Sequence, residues 1–133
     1  MTGASSPSVA LLLVVRAPSS MKSDRQVELV AERFRVLGQP LRIKLLNHLQ
    51  FGEATVQQLT VAVGGVQQNV SQHLAVLRHA GVISRRKDGI RVWYAIVDPH
   101  VPDLLRHARE SVNHHVNELS RCIQPSREDG TVD

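Results

Sequence analysis

The spacing of apolar residues changes at Gly81. Before it, in "QQNVSQHLAVLRHAG" (residues 67–81), Val70, Leu74 and Leu77 recur at helical intervals. After it, in "VISRRKDGIRVWYAIV" (residues 82–97), the period drops towards two. Ile83, Arg85 and Lys87 lead into Asp88-Gly89, and Val92, Tyr94 and Ile96 leave it on alternate positions. An Asp-Gly pair between two β-prone runs is a strong hairpin signal. A helix that stops at a glycine and passes straight into a hairpin restricts the chain to few architectures.

The residues upstream narrow the choice. Val27, Val30, Ala31, Phe34 and Leu37 share one face of a first helix, which Gly38 stops. Pro40 opens a second, "PLRIKLLNHL", with Leu41, Leu45, Leu46 and Leu49 as core positions and Gly52 beyond its end. Thr55 is placed to N-cap a short third helix, "VQQLTVAV", which ends at Gly64-Gly65. The third and fourth helices, joined by that glycine turn, make a helix-turn-helix. A last helix is expected from Asp98-Pro99 to about Ile123. The order is α-α-α-α-β-β-α: a mainly helical α+β fold, a winged helix-turn-helix with "RRKDGIR" at the wing tip.

Composition agrees. The chain has 133 residues, enough for one domain, and is 42% hydrophobic. Its aromatics are only Phe34, Phe51, Trp93 and Tyr94, so the core must be built from Leu, Val, Ile and Ala. The net charge of +4 favours an anionic partner, most commonly nucleic acid. A single cysteine, Cys122, excludes an internal disulfide or a multi-cysteine metal site, and points to a cytoplasmic protein. The run "VALLLVV" (residues 9–15) lacks a preceding basic residue and is too short to span a bilayer. Residues 1–22 read as a disordered or non-native tail, with Met21 as the expected true start. The domain then occupies residues 23–123, with a disordered tail at 124–133.

The exposed side of the fourth helix carries Gln67, Gln68, Asn69, Ser71, Gln72 and His73. Amides and hydroxyls read base edges and phosphates without repelling DNA. An ordinary exposed helix carries Glu and Lys, and residues 67–72 contain neither. Arg78, Arg85, Arg86, Lys87 and Arg91 follow, opposed only by Asp88. On a hairpin they suit the phosphate backbone or the minor groove. No His-Glu-x-x-His, phosphate loop or Gly-x-Ser-x-Gly is present, so an enzyme is not expected.

The stretches "LGQPLRIKLLNHL", "NVSQHLAVLRHAGVI" and "DGIRVWYAI" resemble the ArsR/SmtB family of bacterial metal- and stress-responsive repressors. The resemblance implies a homodimer that binds a palindromic operator in double-stranded DNA and lets go when an inducer binds. It also implies dimerisation through the first and last helices. The last helix suits that role. Val101, Leu104, Leu105, Ala108, Val112, Val116, Leu119 and Ile123 form a continuous stripe, longer than one small core can use.

His100, His107, Ser111, His114 and Glu118 line one flank of that stripe. Family members that bind zinc, nickel or cobalt there use Asp-x-His at the helix start and two later ligands three apart, one pair from each subunit. Asp98 and His100 match the first pair, and the second falls on Ser111 and His114. A serine hydroxyl is a poor zinc ligand, which leaves Glu118 as a replacement. Pro102 is expected to delay the helix and displace the first pair, and Asp98 has the alternative role of a helix cap. The antiparallel register implied by the family places His107 near the dimer axis, as a metal or pH switch. The family's other site, a Cys-x-Cys in the third helix, is absent from "ATVQQLT". A small molecule or pH as inducer, or a winged helix used for protein contact, are the alternatives.

Overall fold

The computed structural model describes residues 23–123, with the tails expected on either side, and the start expected at Met21, outside the described residues. The elements run α1 (Asp24–Leu37), α2 (Pro40–Leu49), β1 (Ala54–Thr55), α3 (Val56–Val63), α4 (Gln67–His79), β2 (Ile83–Asp88), β3 (Arg91–Ile96) and α5 (Val101–Ile123). The expected winged helix-turn-helix is present.

Local signals fix most boundaries. The Ser23 hydroxyl accepts from the Gln26 N–H and starts α1. Gly38 ends it, with its N–H 2.8 Å from the Phe34 carbonyl, where a Cβ would stand equally close to that oxygen. At α3 the Thr55 hydroxyl accepts from the Gln58 N–H, while the Gln58 side chain accepts from the Thr55 N–H. This reciprocal capping box satisfies two donors the helix cannot.

Leu45, Leu46, Leu59, Val70, Leu74, Leu77, Val82 and Val101 are fully buried, and Tyr94 and Ile83 join them from the sheet. Each such aliphatic side chain contributes about 1.5–3 kcal/mol of burial. The core therefore binds α2, α3, α4 and the end of α1 to one face of the sheet, and from α5 it takes Val101 with Leu105 packed against it.

Three expectations are corrected. The sheet has three strands in the order β1-β3-β2, because Ala54 and Thr55 pair antiparallel with Tyr94 and Trp93. The hairpin turns one residue later than expected. Asp88 pairs with Arg91, so Gly89 and Ile90 form the loop, and Gly89 takes the positive φ of 63° that both primed turns require at their first position. The last helix begins at Val101 rather than at Asp98-Pro99. The Asp98 carboxylate accepts from the His100 N–H at 2.9 Å in a turn before the helix, and Leu104 makes the first helical bond back to the His100 carbonyl. Pro102 then sits in the first turn, where no N–H is needed.

The apolar face expected on α1 is unevenly used. Leu37 is buried and Val30 is half-buried, whereas Val27 and Phe34 are exposed, Phe34 by 60%. On α5, Val101 is buried and Leu105 packs on the core, while Leu104, Val112, Val116, Leu119 and Ile123 face outward.

Candidate nucleic-acid interface

Helix α4 is seated by one buried stripe, Val70, Leu74 and Leu77, each with no exposed surface. That seating turns Gln67, Gln68, Asn69 and Gln72 to the outside, with Ser71 half-buried beside them. The helix begins after Val66, which offers no side-chain cap, and its first turn holds no acidic residue. Its first N–H groups are left to an external acceptor, and the positive end of the helix dipole points the same way.

His73 stands apart from this face. Its ring is half-buried, and Nδ1 lies 3.1 Å from the Arg42 Nη1. Burial, and then the Arg42 charge, hold the imidazole below its ordinary value of 6.5.

Strand register sorts the wing. Cross-strand pairing places Arg85 with Tyr94 and Lys87 with Val92, on the sheet face that carries Ile83 and Ala54 into the core. Beyond the core, Arg85 and Lys87 therefore extend on the side of the helices. Arg86 and Arg91 lie on the opposite face with Trp93. Arg86 is committed there: Nη2 donates to Glu53 at 2.8 Å, Nη1 stands 3.7 Å from Asp88, and the guanidinium lies 5.8 Å from the Trp93 ring centre. Among the described residues, Arg78, Arg85, Lys87 and Arg91 form no ion pair. The expected basic cluster is thus four uncommitted cations and one that braces the wing against β1. The brace was not visible in sequence, because its partner Glu53 lies 33 positions away.

The histidine flank is exposed. His107 Nδ1 stands 3.7 Å from Glu110, and Glu118 accepts from Arg121 at 3.2 Å. Among the described residues, no three His, Cys, Asp or Glu side chains of one chain come together as a metal site. Asp98 already has a cation: its second carboxylate oxygen is 3.8 Å from Arg33 Nη1, a buried atom with no hydrogen-bond partner. A divalent metal on Asp98 has to displace or sit beside that guanidinium.

Comparison with known proteins agrees with this geometry. The sequence profile of the arsR family of bacterial regulatory proteins matches residues 39–85. An uncharacterized HTH-type transcriptional regulator of Mycobacterium tuberculosis, Rv0081, is 34% identical over 113 residues, covering 84% of this chain and 99% of that one. Its crystal structure superposes with a TM-score of 0.67 at 35% identity, over 74% of this chain and 99% of that chain. The HTH-type transcriptional repressor SmtB of M. tuberculosis is 34% identical over 88 residues, 63% of this chain and 65% of its own length. A homodimeric winged helix-turn-helix DNA-binding domain from Mycobacterium bovis, solved by NMR, has a TM-score of 0.64 at 25% identity, over 74% of this chain and 94% of that chain.

Proposed function

The chain belongs to the ArsR family of bacterial regulatory proteins, and we propose that it is a homodimeric repressor of transcription. Residues 23–123 form the working domain, which acts in the cytoplasm and binds a palindromic operator. Gln67, Gln68, Asn69, Ser71 and Gln72 enter the major groove, and Arg78, Arg85, Lys87 and Arg91 hold the phosphates on either side. The observation that carries this reading is the uncapped, acid-free and exposed start of α4, in a domain whose Arg78, Arg85, Lys87 and Arg91 form no ion pair among the described residues. Two of the similar proteins support the finer points: SmtB is named a repressor, and the M. bovis domain is homodimeric.

Dimerisation uses α5 and α1, whose Leu104, Ala108, Val112, Val116 and Leu119, together with Val27 and Phe34, remain exposed among the described residues. Release comes from an inducer. The Arg33–Asp98 pairing favours a signal other than a metal held by Asp98 and His100. A zinc, nickel or cobalt site would need His114 and Glu118 of the second protomer, with His107 at the axis as a further ligand.

Footprinting on the DNA upstream of the protein's own gene tests the central reading. Protection of a two-fold symmetric stretch is expected, and a winged helix used for protein contact leaves none. Titration of zinc, nickel and cobalt against that complex tests the inducer: operator affinity is expected to stay constant, and release at micromolar metal would restore the metal reading.

A further inference from the structure

Arg42 lies in the first turn of α2, but its side chain serves two other helices. Its Nε donates to the Val36 carbonyl at 2.6 Å and its Nη2 to the Arg35 carbonyl at 3.3 Å, both in the last turns of α1. Its Nη1 reaches His73 Nδ1 in α4 at 3.1 Å. A guanidinium only donates, so Nδ1 must be the acceptor and the neutral ring carries its proton on Nε2. One planar fork thus joins the carbonyl end of α1 to the recognition helix.

We propose that Arg42 and His73 are positioning residues: a latch that fixes the recognition helix against α1 and passes the setting of α1 to the DNA-reading face. The proposal rests on the DNA-binding reading above. Helix α1 also carries the uncovered Val27 and Phe34, so a partner that shifts α1 also shifts the Val36 and Arg35 carbonyls that hold the fork. At the other end, His73 follows directly on Ser71 and Gln72, so movement of the ring moves the reading face.

The surroundings leave the fork unopposed. Helix α3, packed against α4, contains no charged residue. The Arg35 guanidinium is turned to Glu32 at 3.3 Å, and Arg86 on β2 is held by Glu53. Arg42 is the charged group whose field reaches the ring. The latch requires neutral His73, and burial beside Arg42 keeps it neutral at neutral pH. A lysine cannot replace the fork, because an ammonium is a point donor without planar reach.

The test uses the full chain, the footprinted DNA fragment and five variants: Arg42→Ala, Arg42→Lys, His73→Ala, His73→Asn and the Arg42→Ala/His73→Ala double. Arg42→Ala, Arg42→Lys and His73→Ala are each expected to weaken operator binding roughly tenfold with helical content unchanged. The Arg42→Ala/His73→Ala double variant should bind no more weakly than Arg42→Ala, since both changes break one contact. His73→Asn, whose amide oxygen can accept from the fork, should restore most of the affinity and lose the fall in binding expected of the wild type as pH drops through the depressed value of His73. Additive losses, wild-type binding by His73→Ala, or a pH profile that survives His73→Asn each overturn the latch. If Arg42→Ala fails to fold, the two His73 variants and their pH profiles decide. A wild type that gives no footprint refutes the DNA-binding reading instead. The latch is then judged from the ring nitrogen NMR shifts: a single Nε2–H tautomer supports it and mixed tautomers overturn it.

Discussion

Gly89 stands at φ 63° where β2 returns as β3. An L side chain there costs about 1–2 kcal/mol, more for a β-branched one. Gly89→Val is expected to lower the melting midpoint by several degrees, and Gly89→Asn by less. Calorimetry in which Gly89→Val melts with wild type would show that the turn tolerates any residue. The Asp-Gly pair located this reversal in the sequence but misplaced it by one residue, because pairing of Asp88 with Arg91 is decided by the strands. His73 was legible only as a polar residue on the recognition helix. Its tie to Arg42 spans 31 positions, which no local pattern reports. The tie has a stability consequence. The folded imidazole binds its proton below 6.5, so the unfolded chain protonates first as pH falls. Stability from this residue is complete above about pH 6.5 and is lost as pH drops through the depressed folded value. Urea titrations at pH 7.5 and 5.5 should show a smaller loss for His73→Asn than for wild type, and equal losses would refute the assignment.

At the scale of elements, the recognition helix and the wing have separable effects. Gln68 is exposed in the first turn of α4, at the end that the proposed function brings to base edges. Gln68→Ala is expected to cost about 1–3 kcal/mol on the preferred operator and to relax sequence preference at one position. Lys87→Ala should weaken all DNA sequences alike and reduce the salt slope of binding by about one. Binding measured from low to moderate salt on specific and random DNA separates the two outcomes; a Lys87→Ala effect confined to the operator would contradict the phosphate role. Helices were legible because their buried stripes repeat over several turns, and α4 shows its stripe as three fully buried residues. Strand β1 was not, since Ala54 and Thr55 are too short to show a period and pair only through the fold. The brace formed by Arg86 has the same origin, so a basic cluster read from sequence alone overstates the charge free to meet DNA.

The whole molecule presents an imbalance between its two ends. The core reaches Val101 and Leu105, yet α5 continues to Ile123 with Val112, Val116, Leu119 and Ile123 exposed among the described residues. The sequence showed that the stripe was too long for one core, but not how much of α5 the core would leave free. In the proposed homodimer a second copy would cover this face with α5 and α1, and closed two-fold pairing is the commonest arrangement. Val116 lies at the middle of the uncovered stretch, 50% exposed within the single chain. A charge there disturbs nothing in the fold of the protomer but is costly inside an apolar interface. Val116→Glu is therefore expected to sediment as a monomer while its helical signal and the packing around Leu74 stay intact. Each protomer then meets one half-site without the second, so operator affinity should fall at least a hundredfold while weak non-specific binding persists. A Val116→Glu chain that sediments as a dimer and keeps its footprint would place the interface on another face and leave the α5 stripe without a role.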